Sequence, residues 1–446
     1  MHIVLVETTS VRGFDCVAEM VDAGIEVTFV AQNLQAHRAV QDAAQMARAT
    51  RLIEVPELGQ DANLYALLRE RWGPSCPDGV ICRRESFALE VAGLTEALGV
   101  PGETRATALL LGDKRAVRLR LASAGIGTVR WRSADGLDSA LEAADALGYP
   151  VVIKPANGSF SLGVSVVHDR PALIRAWSEA VRTAASFAGG QPAVLLEEYL
   201  TGLHVSAELL VQGGEPILLG LAERDAVSPG VTAETGGYFP ASFPGAERAA
   251  EFAQQVVKAL GICHSAVHIE MMVTPRGPEL IEVNGRVAGH VVMQQISLAL
   301  GRSVTMDLVA LATGRNISPP GDPVSTVALR QVWSDHDGIV VRVQPPVELH
   351  PQVVSHGLFV ETGSQVAALR SNPDRFGYVL ARGADRNQAT TIAVGAAAQL
   401  LGRLEIARIP PVDYEEVQPS TSGTGHVGSP AELTPVPPLD RAGPDA

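Results

Sequence analysis

Residues 281–286 read IEVNGR, and residues 268–270 read HIE. On a strand successive side chains alternate between faces, so Glu282 and Asn284 project from the same one. A turn at residues 274–277 returns the chain and sets Glu270 beside them. Two carboxylates and an amide oxygen on one patch repel each other unless a cation lies between them. Hard oxygen donors with room left for phosphate oxygens and water suit Mg²⁺. Arg286, two residues beyond Asn284, reaches the same patch as a fixed positive charge. Such a charge can stabilise what develops during phosphoryl transfer or on a tetrahedral intermediate. Taken alone, the spacing also describes a solvated edge strand with incidental acids.

Two further stretches carry polar groups at the ends of apolar strands. Residues 149–166 read YPVVIKPANGSFSLGVSV, in which a strand delivers Lys154 and a small-residue loop follows. Backbone N–H groups in a loop of Gly158, Ser159, Ser161 and Gly163 can approach phosphate oxygens closely. A lysine closing an apolar strand needs a partner when it is buried. The loop is not G-x-x-x-x-G-K-[ST], which would lead into a helix, and a plain hairpin is the alternative. Residues 194–208, VLLEEYLTGLHVSAE, run an apolar strand into Glu197 and Glu198, then Leu200, then a second strand from His204. Backbone groups near residues 198–200 could bond a purine edge, and His204 or Glu208 a ribose hydroxyl. An exposed acidic pair on a strand is the bland alternative.

The elements that must hold these groups are legible in outline. An apolar run at residues 2–7, a helical pattern at 14–23 stopped by Gly24, and a β-rich run at 25–30 form a βαβ pattern with a parallel sheet. Helices at 61–72 and 85–98 with a strand at 79–82 continue it. No G-x-G-x-x-G follows the first strand, so dinucleotide binding has no support there. Asp113 suits an N-cap, with Val117 and Leu121 at helical spacing and Gly125 as the stop. Strands at 151–154, 193–199, 204–211, 217–221, 268–273 and 279–284 with glycine turns make the middle α+β. A helix is expected at about 245–260. Expected boundaries are 1–105 for an N-terminal parallel α/β domain and 106–318 for a central domain with a lid at about 126–196. A C-terminal α+β domain at 319–411 and a Pro/Gly/Ser-rich disordered tail at 412–446 follow.

In order, Lys114, Lys154 with its loop, the Glu-Glu-x-Leu stretch, Glu270 and the Glu282-x-Asn284-x-Arg286 run resemble the ATP-grasp superfamily over roughly residues 106–314. The whole chain looks most like L-amino-acid ligases and other carboxylate–amine ligases, with SNPDRFGYVLARG (371–383) similar to their small closing domain. The resemblance implies an ATP-grasp fold behind a βαβ domain, with ATP and Mg²⁺ as cofactors and Mn²⁺ as a substitute. It implies that Lys114 and Lys154 contact phosphates and that the 158–163 loop closes over them. Glu197, Glu198 and Leu200 would form the adenine hinge, with His204 near the ribose. Glu270, Glu282 and Asn284 would ligate Mg²⁺, and Arg286 would be the catalytic arginine. Residues 222–240 resemble the substrate-facing loop, which places Glu234 near the substrate; His268 would border the pocket or orient a ligand. The implied reaction phosphorylates a small-molecule carboxylate, of an amino acid in this family, and couples it to an amine. A biotin-carboxylase-like enzyme is the first alternative: Glu223-Arg224-Asp225 starts that family's basic motif, but Ala226-Val227-Ser228-Pro229 replaces the Gln-Arg-Arg run. A non-catalytic ATP-binding regulator is the second.

Composition sets the outer bounds. At 446 residues the chain is long enough for two or three domains. A formal net charge of −14 argues against a nucleic-acid partner, which requires a basic face. Four scattered cysteines (Cys16, Cys76, Cys82, Cys263) give neither a zinc motif nor a disulfide framework. No apolar run approaches the roughly 18 residues of a membrane span, and the chain opens on a strand pattern rather than a secretion signal. A cytoplasmic protein without membrane contact is therefore expected, and the family resemblance implies a possible homodimer.

Overall fold

The computed structural model describes residues 1–409 except 10–11, 39–41, 56–62, 73–75, 128, 159–160, 188–192, 226–232 and 290. Ser159, the first residues of the helix expected at 61–72 and the expected tail at 412–446 lie outside the described residues.

The apolar runs at the N-terminus form a four-stranded parallel sheet. Arg51–Glu54, Glu26–Ala31, His2–Val6 and Gly79–Cys82 lie in that spatial order. His2–Val6 is buried at every position, as a parallel strand covered on both faces requires. Of the helix expected at 61–72, Leu64–Leu68 is helical. A 3-10 turn at Glu85–Phe87 leads into the helix Ala88–Leu98, which ends on Gly99 in the left-handed region.

The second sheet is antiparallel and small: Trp131–Ala134, Val194–Glu198, Val151–Pro155 and Ser165–Val167. The helices Leu137–Leu147 and Arg170–Phe187 pack on one face, burying Val151, Ile153, Val194 and Leu196. Alternation sends Lys154 and Glu197 to the other face. The same rule therefore makes the core of this sheet and aims its charged groups away from it.

Eight antiparallel strands make the large sheet. Their order is Gly277–Asn284, His264–Thr274, Leu203–Gln212, Glu215–Arg224, Gly236–Phe239, Thr326–Val332, Gly377–Gly383 and Val353–Leu358. The amphipathic helix Ala246–Leu260 lays Phe252, Ala253, Val256 and Val257 against Val205, Ala207, Val267 and Ile269 on one face. The opposite face carries Ser206, Glu208, His268, Glu270, Glu282 and Asn284. Strands from beyond residue 319 continue this sheet rather than forming one apart, and a three-stranded sheet (Gln365–Val366, Gly338–Val343, Leu404–Arg408) flanks them.

One sequence expectation is corrected. Within residues 222–240, expected as a loop, Ala222–Arg224 complete a strand and Gly236–Phe239 form another paired with it, while 226–232 lie outside the described residues. Two glycines hide this strand from propensity. A side chain at Gly236 would come within 2.3 Å of the Leu329 carbonyl oxygen, so the close approach of neighbouring backbone requires glycine.

Candidate active site

The hairpin register sets Glu270 directly opposite Glu282, and His268 opposite Asn284. Like charges facing across a strand pair are destabilising unless neutralised. Each carboxylate has its own cation. Lys114 Nζ lies 2.8 Å from Glu282 Oε1. Glu270 has His268 Nε2 at 3.1 Å and His204 Nε2 at 3.4 Å. His268 Nδ1 in turn lies 2.7 Å from Glu208 Oε1, which accepts a hydrogen bond from Ser206 Oγ. Burial pushes the His268 imidazole down, but Glu208 and Glu270 outweigh it and raise its pKa to about 9. Burial likewise opposes the charge on Glu270, and the two histidines hold it well below the usual carboxylate range. His268 thus sits buried between two acids and fixes the orientation of Glu270.

Lys114, Asn157, Gly158, Glu282, Asn284 and Arg286 line one cavity of about 670 Å³. Lys114 opens the helix Lys114–Ser123, whose N-cap Asp113 accepts from the Arg115 backbone N–H. The lysine ammonium also donates to the Gly158 carbonyl at 2.8 Å, and its backbone N–H to Ala156. The small-residue loop is therefore tethered to Lys114. Its turn uses left-handed backbone at Ser161 and Gly163, and a methyl at Gly163 would meet Thr183 Cβ at 2.8 Å. Burial opposes the Lys114 charge, while Glu282, with Glu85 and Glu197 behind it, raises its pKa. Arg286 reaches into the same cavity with its Nε 3.1 Å from Glu85 Oε2 and one Nη on the Val287 carbonyl.

Lys154 is placed differently. Its ammonium is buried 2.7 Å from Glu197 Oε2 and 3.3 Å from the Ile281 carbonyl. Arg118 binds the same carboxylate through Nε (2.8 Å) and Nη2 (3.0 Å), and Nη2 also donates to the carbonyls of Leu280 and Ile281. This buried trio ties the small sheet to the strand that bears Glu282. Burial would raise Glu197, but the two cations hold it at about 2. Burial lowers Lys154, and repulsion from Arg118 adds to that against the support of Glu197. Arg118 belongs to no motif in the sequence; its only signal is a position one helical turn after Lys114. Beside the trio, Glu198 pairs with Arg130 at 3.2 Å and Arg276 at 2.8 Å, and Leu200, two residues on, is half-buried.

Glu234 lies apart from the cavity lining. Its oxygens are 2.9 Å from Arg224 Nη1 and 3.5 Å from Arg375 Nη1. Among the described residues no three His, Cys, Asp or Glu side chains stand together as a preformed metal cage.

The family profile of the ATP-grasp domain matches residues 147–294, and that of the L-amino acid ligase C-terminal domain 2 matches 330–405. The uncharacterized protein y4rH of Sinorhizobium fredii is 30% identical over 349 residues, covering 77% of this chain and 72% of that protein. The chain belongs to the ATP-grasp family. The resemblance read from its motifs, and the mixed α/β architecture it implied, are borne out. A formate-dependent phosphoribosylglycinamide formyltransferase of Prochlorococcus marinus is 31% identical over 184 residues, 40% of this chain. The chain spans 46% of that relative's length. In fold, the chain is similar to an L-amino acid ligase from Bacillus licheniformis, with a TM-score of 0.77 at 18% identity over 92% of this chain and 98% of that one. The ATP-grasp match contains Lys154, Glu197, Glu270, Glu282, Asn284 and Arg286, while Lys114 and Arg118 precede it.

No helix among the described residues is long and apolar enough to cross a membrane.

Proposed function

We propose that this ATP-grasp chain is an ATP-dependent carboxylate–amine ligase that acts on an amino acid carboxylate and releases ADP and phosphate. The observation that carries the reading is the convergence of Glu282, Asn284, Lys114 and Arg286 on one cavity, with Glu270 opposite Glu282 on the same face. This donor set of two carboxylates and an amide oxygen fits Mg²⁺, which keeps water and substrate phosphate ligands and needs few from protein. Glu270, Glu282 and Asn284 would hold it, and it would neutralise phosphate charge there.

The chain's own groups then have distinct tasks. Lys114 already bridges Glu282 and the Gly158 carbonyl, so a triphosphate arriving there meets a cation attached to the loop that would cover it. The γ-phosphoryl passes in line from ATP to a substrate carboxylate oxygen, giving ADP and an acyl phosphate. Arg286 supports the charge on the transferring group, since its guanidinium points into the cavity from the end of the same strand. The amine then attacks the acyl carbon, phosphate leaves with the C–O bond pair, and the amine loses a proton. The 158–163 loop shields the acyl phosphate from water. The adenine lies along residues 197–200, with His204 near its ribose.

A phosphate-release assay with ATP, Mg²⁺ and pooled amino acids tests the reading. Release that requires two amino acids supports it. Release that requires bicarbonate would support a carboxylase instead, and no release under any condition would support a nucleotide-binding regulator.

A further inference from the structure

The cavity that holds Lys114, Glu282 and Arg286 is larger than the phosphate chemistry requires. None of Glu197, Glu198, Leu200 and His204 lines it, so the stretch proposed for adenine and ribose lies outside. About 670 Å³ is room for a drug-sized ligand, whereas phosphate, a cation and a carboxyl group fill only the charged end. The rest runs behind Glu85. The strand Gly79–Cys82 leads up to Glu85, and the helix Ala88–Leu98 returns packed against that strand. By strand and helix rise, Val80 and Ala92 each lie on the order of 10 Å behind Glu85. Both line the cavity, together with Ile81, Leu89, and Leu308 and Leu311 of the helix Val304–Ala312. Apart from half-buried Leu89, these side chains are buried. The cavity therefore has a charged end at Lys114 and Arg286 and an apolar end.

Polar groups around the apolar end are satisfied within the protein, with one exception. Thr95 Oγ1 donates to the Ala92 carbonyl at 3.0 Å, and His264 Nε2 lies 2.7 Å from the Leu311 carbonyl oxygen. Glu103 Oε2 accepts the backbone N–H groups of Cys263 and His264. Glu90 differs. It lines the cavity at 4% exposure, and its Oε2 is buried without a hydrogen-bond partner. No other lining residue among those described has such an atom. Burial raises the Glu90 pKa, against its own backbone N–H and the charge of Arg105, and so favours a carboxyl that can donate as well as accept. An unbonded acid among apolar walls costs free energy until a ligand satisfies it.

We propose that the apolar end holds the carbon chain of the donor carboxylate and that Glu90 hydrogen-bonds a polar group at the tip of that chain. Glu90 is then a specificity-determining residue, and the donor is a chain of several carbons rather than formate, bicarbonate or acetate. This deepens the ligase reading and rests on it. The carboxyl group must meet phosphate between Lys114 and Arg286, so the donor's own chain is the part of the reactants that continues behind Glu85. Apolar walls reward length, and one buried acid among them rewards a tip that can share a hydrogen bond.

Hydroxylamine in place of the amine reads the donor alone. Its nitrogen attacks the acyl carbon, phosphate leaves with the C–O bond pair, the nitrogen loses a proton, and a hydroxamate accumulates. Amino acids with straight side chains of one to five carbons, with and without a terminal hydroxyl, are compared in wild type, Ala88→Phe, Glu90→Gln and Glu90→Leu. Ala88 is half-buried on the cavity wall between Glu85 and Glu90, so a phenyl ring there obstructs the apolar end. In wild type KM falls by up to about fourfold per methylene. At the length that reaches Glu90, the hydroxyl is favoured over the methyl by about threefold or more. Ala88→Phe flattens the length dependence, Glu90→Leu reverses the hydroxyl preference, and Glu90→Gln keeps part of it. A KM independent of length in wild type overturns the proposal while leaving the ligase standing, as does a length dependence that survives in Ala88→Phe. A hydroxyl preference unchanged in Glu90→Leu removes Glu90 from the site. No hydroxamate from any donor defeats the ligase, and equilibrium dialysis of the same amino acids then reads the cavity. Length-dependent binding that weakens in Ala88→Phe keeps the apolar site; binding without that dependence, or none, defeats it. Circular dichroism confirms folding, and the Glu90 variants carry the comparison should Ala88→Phe fail to fold.

Discussion

Glu197 and Glu282 both sit against lysine, yet their surroundings differ in kind. Glu197 is buried with two cations, Arg118 and Lys154, and 5% of it is exposed. Glu282 has Lys114, keeps 26% of its side chain exposed and faces the cavity. A dry, fully bonded pair is costly to open because each partner would be left as a bare charge in low dielectric. A pair at a wet cavity wall exchanges its partner for water or ligand at small cost. The first arrangement holds the small sheet to the strand that bears Glu282 through Arg118 and the carbonyls of Leu280 and Ile281. The second is free to trade a lysine for a phosphate or a cation. Identical residue types thus form a sealed network in one place and a partly exposed pair at a cavity in the other, and burial separates them.

The contrast breaks most sharply at Glu282. Glu282→Ala should lower phosphate release about a thousandfold or more while costing under about 1 kcal/mol of stability. Near-normal ATP consumption by that variant would remove Glu282 from the metal site. Arg118→Ala should do the reverse. Urea unfolding should show a loss of about 3–5 kcal/mol, because Glu197 keeps only one of its two cations in a buried site. A loss below about 1 kcal/mol would mean that Lys154 alone suffices.

Acid titration gives the finest measure. The folded-state pKa of Glu197, about 2, lies below its usual 4.5. Its contribution to stability is therefore complete above pH 4.5 and is lost as pH falls from there toward 2. Glu197→Gln should start less stable and lose stability less steeply over that window, by up to about one bound proton in the slope. Parallel curves for the two proteins would count against a depressed Glu197.

The sequence was most readable where one local rule decided the outcome. Two-residue alternation and a turn at 274–277 sufficed to bring Glu270, Glu282 and Asn284 to one face, and the register agrees. Capping chemistry located Lys114, since Asp113 announces the helix start. Readability failed where short or atypical strands carried the structure. Trp131–Ala134 is polar at its centre, and Gly236–Phe239 begins with two glycines. Propensity sees neither of these, because each is held by its neighbours in the sheet rather than by its own residues.

Arg118 marks the limit from another side. Its side chain meets a carboxylate 79 residues later and carbonyls more than 160 residues later. Periodicity along the chain has no term for such a distance. The sequence by itself determined which residue types reach the sheet face and in what order, because strand alternation and helix caps are local. Only the tertiary structure decided which of them are sealed in a dry network, as Lys154 and Glu197 are, and which stay open to a ligand, as Lys114, Glu282 and Arg286 do. That choice depends on solvent exclusion by distant segments, and no local pattern encodes it.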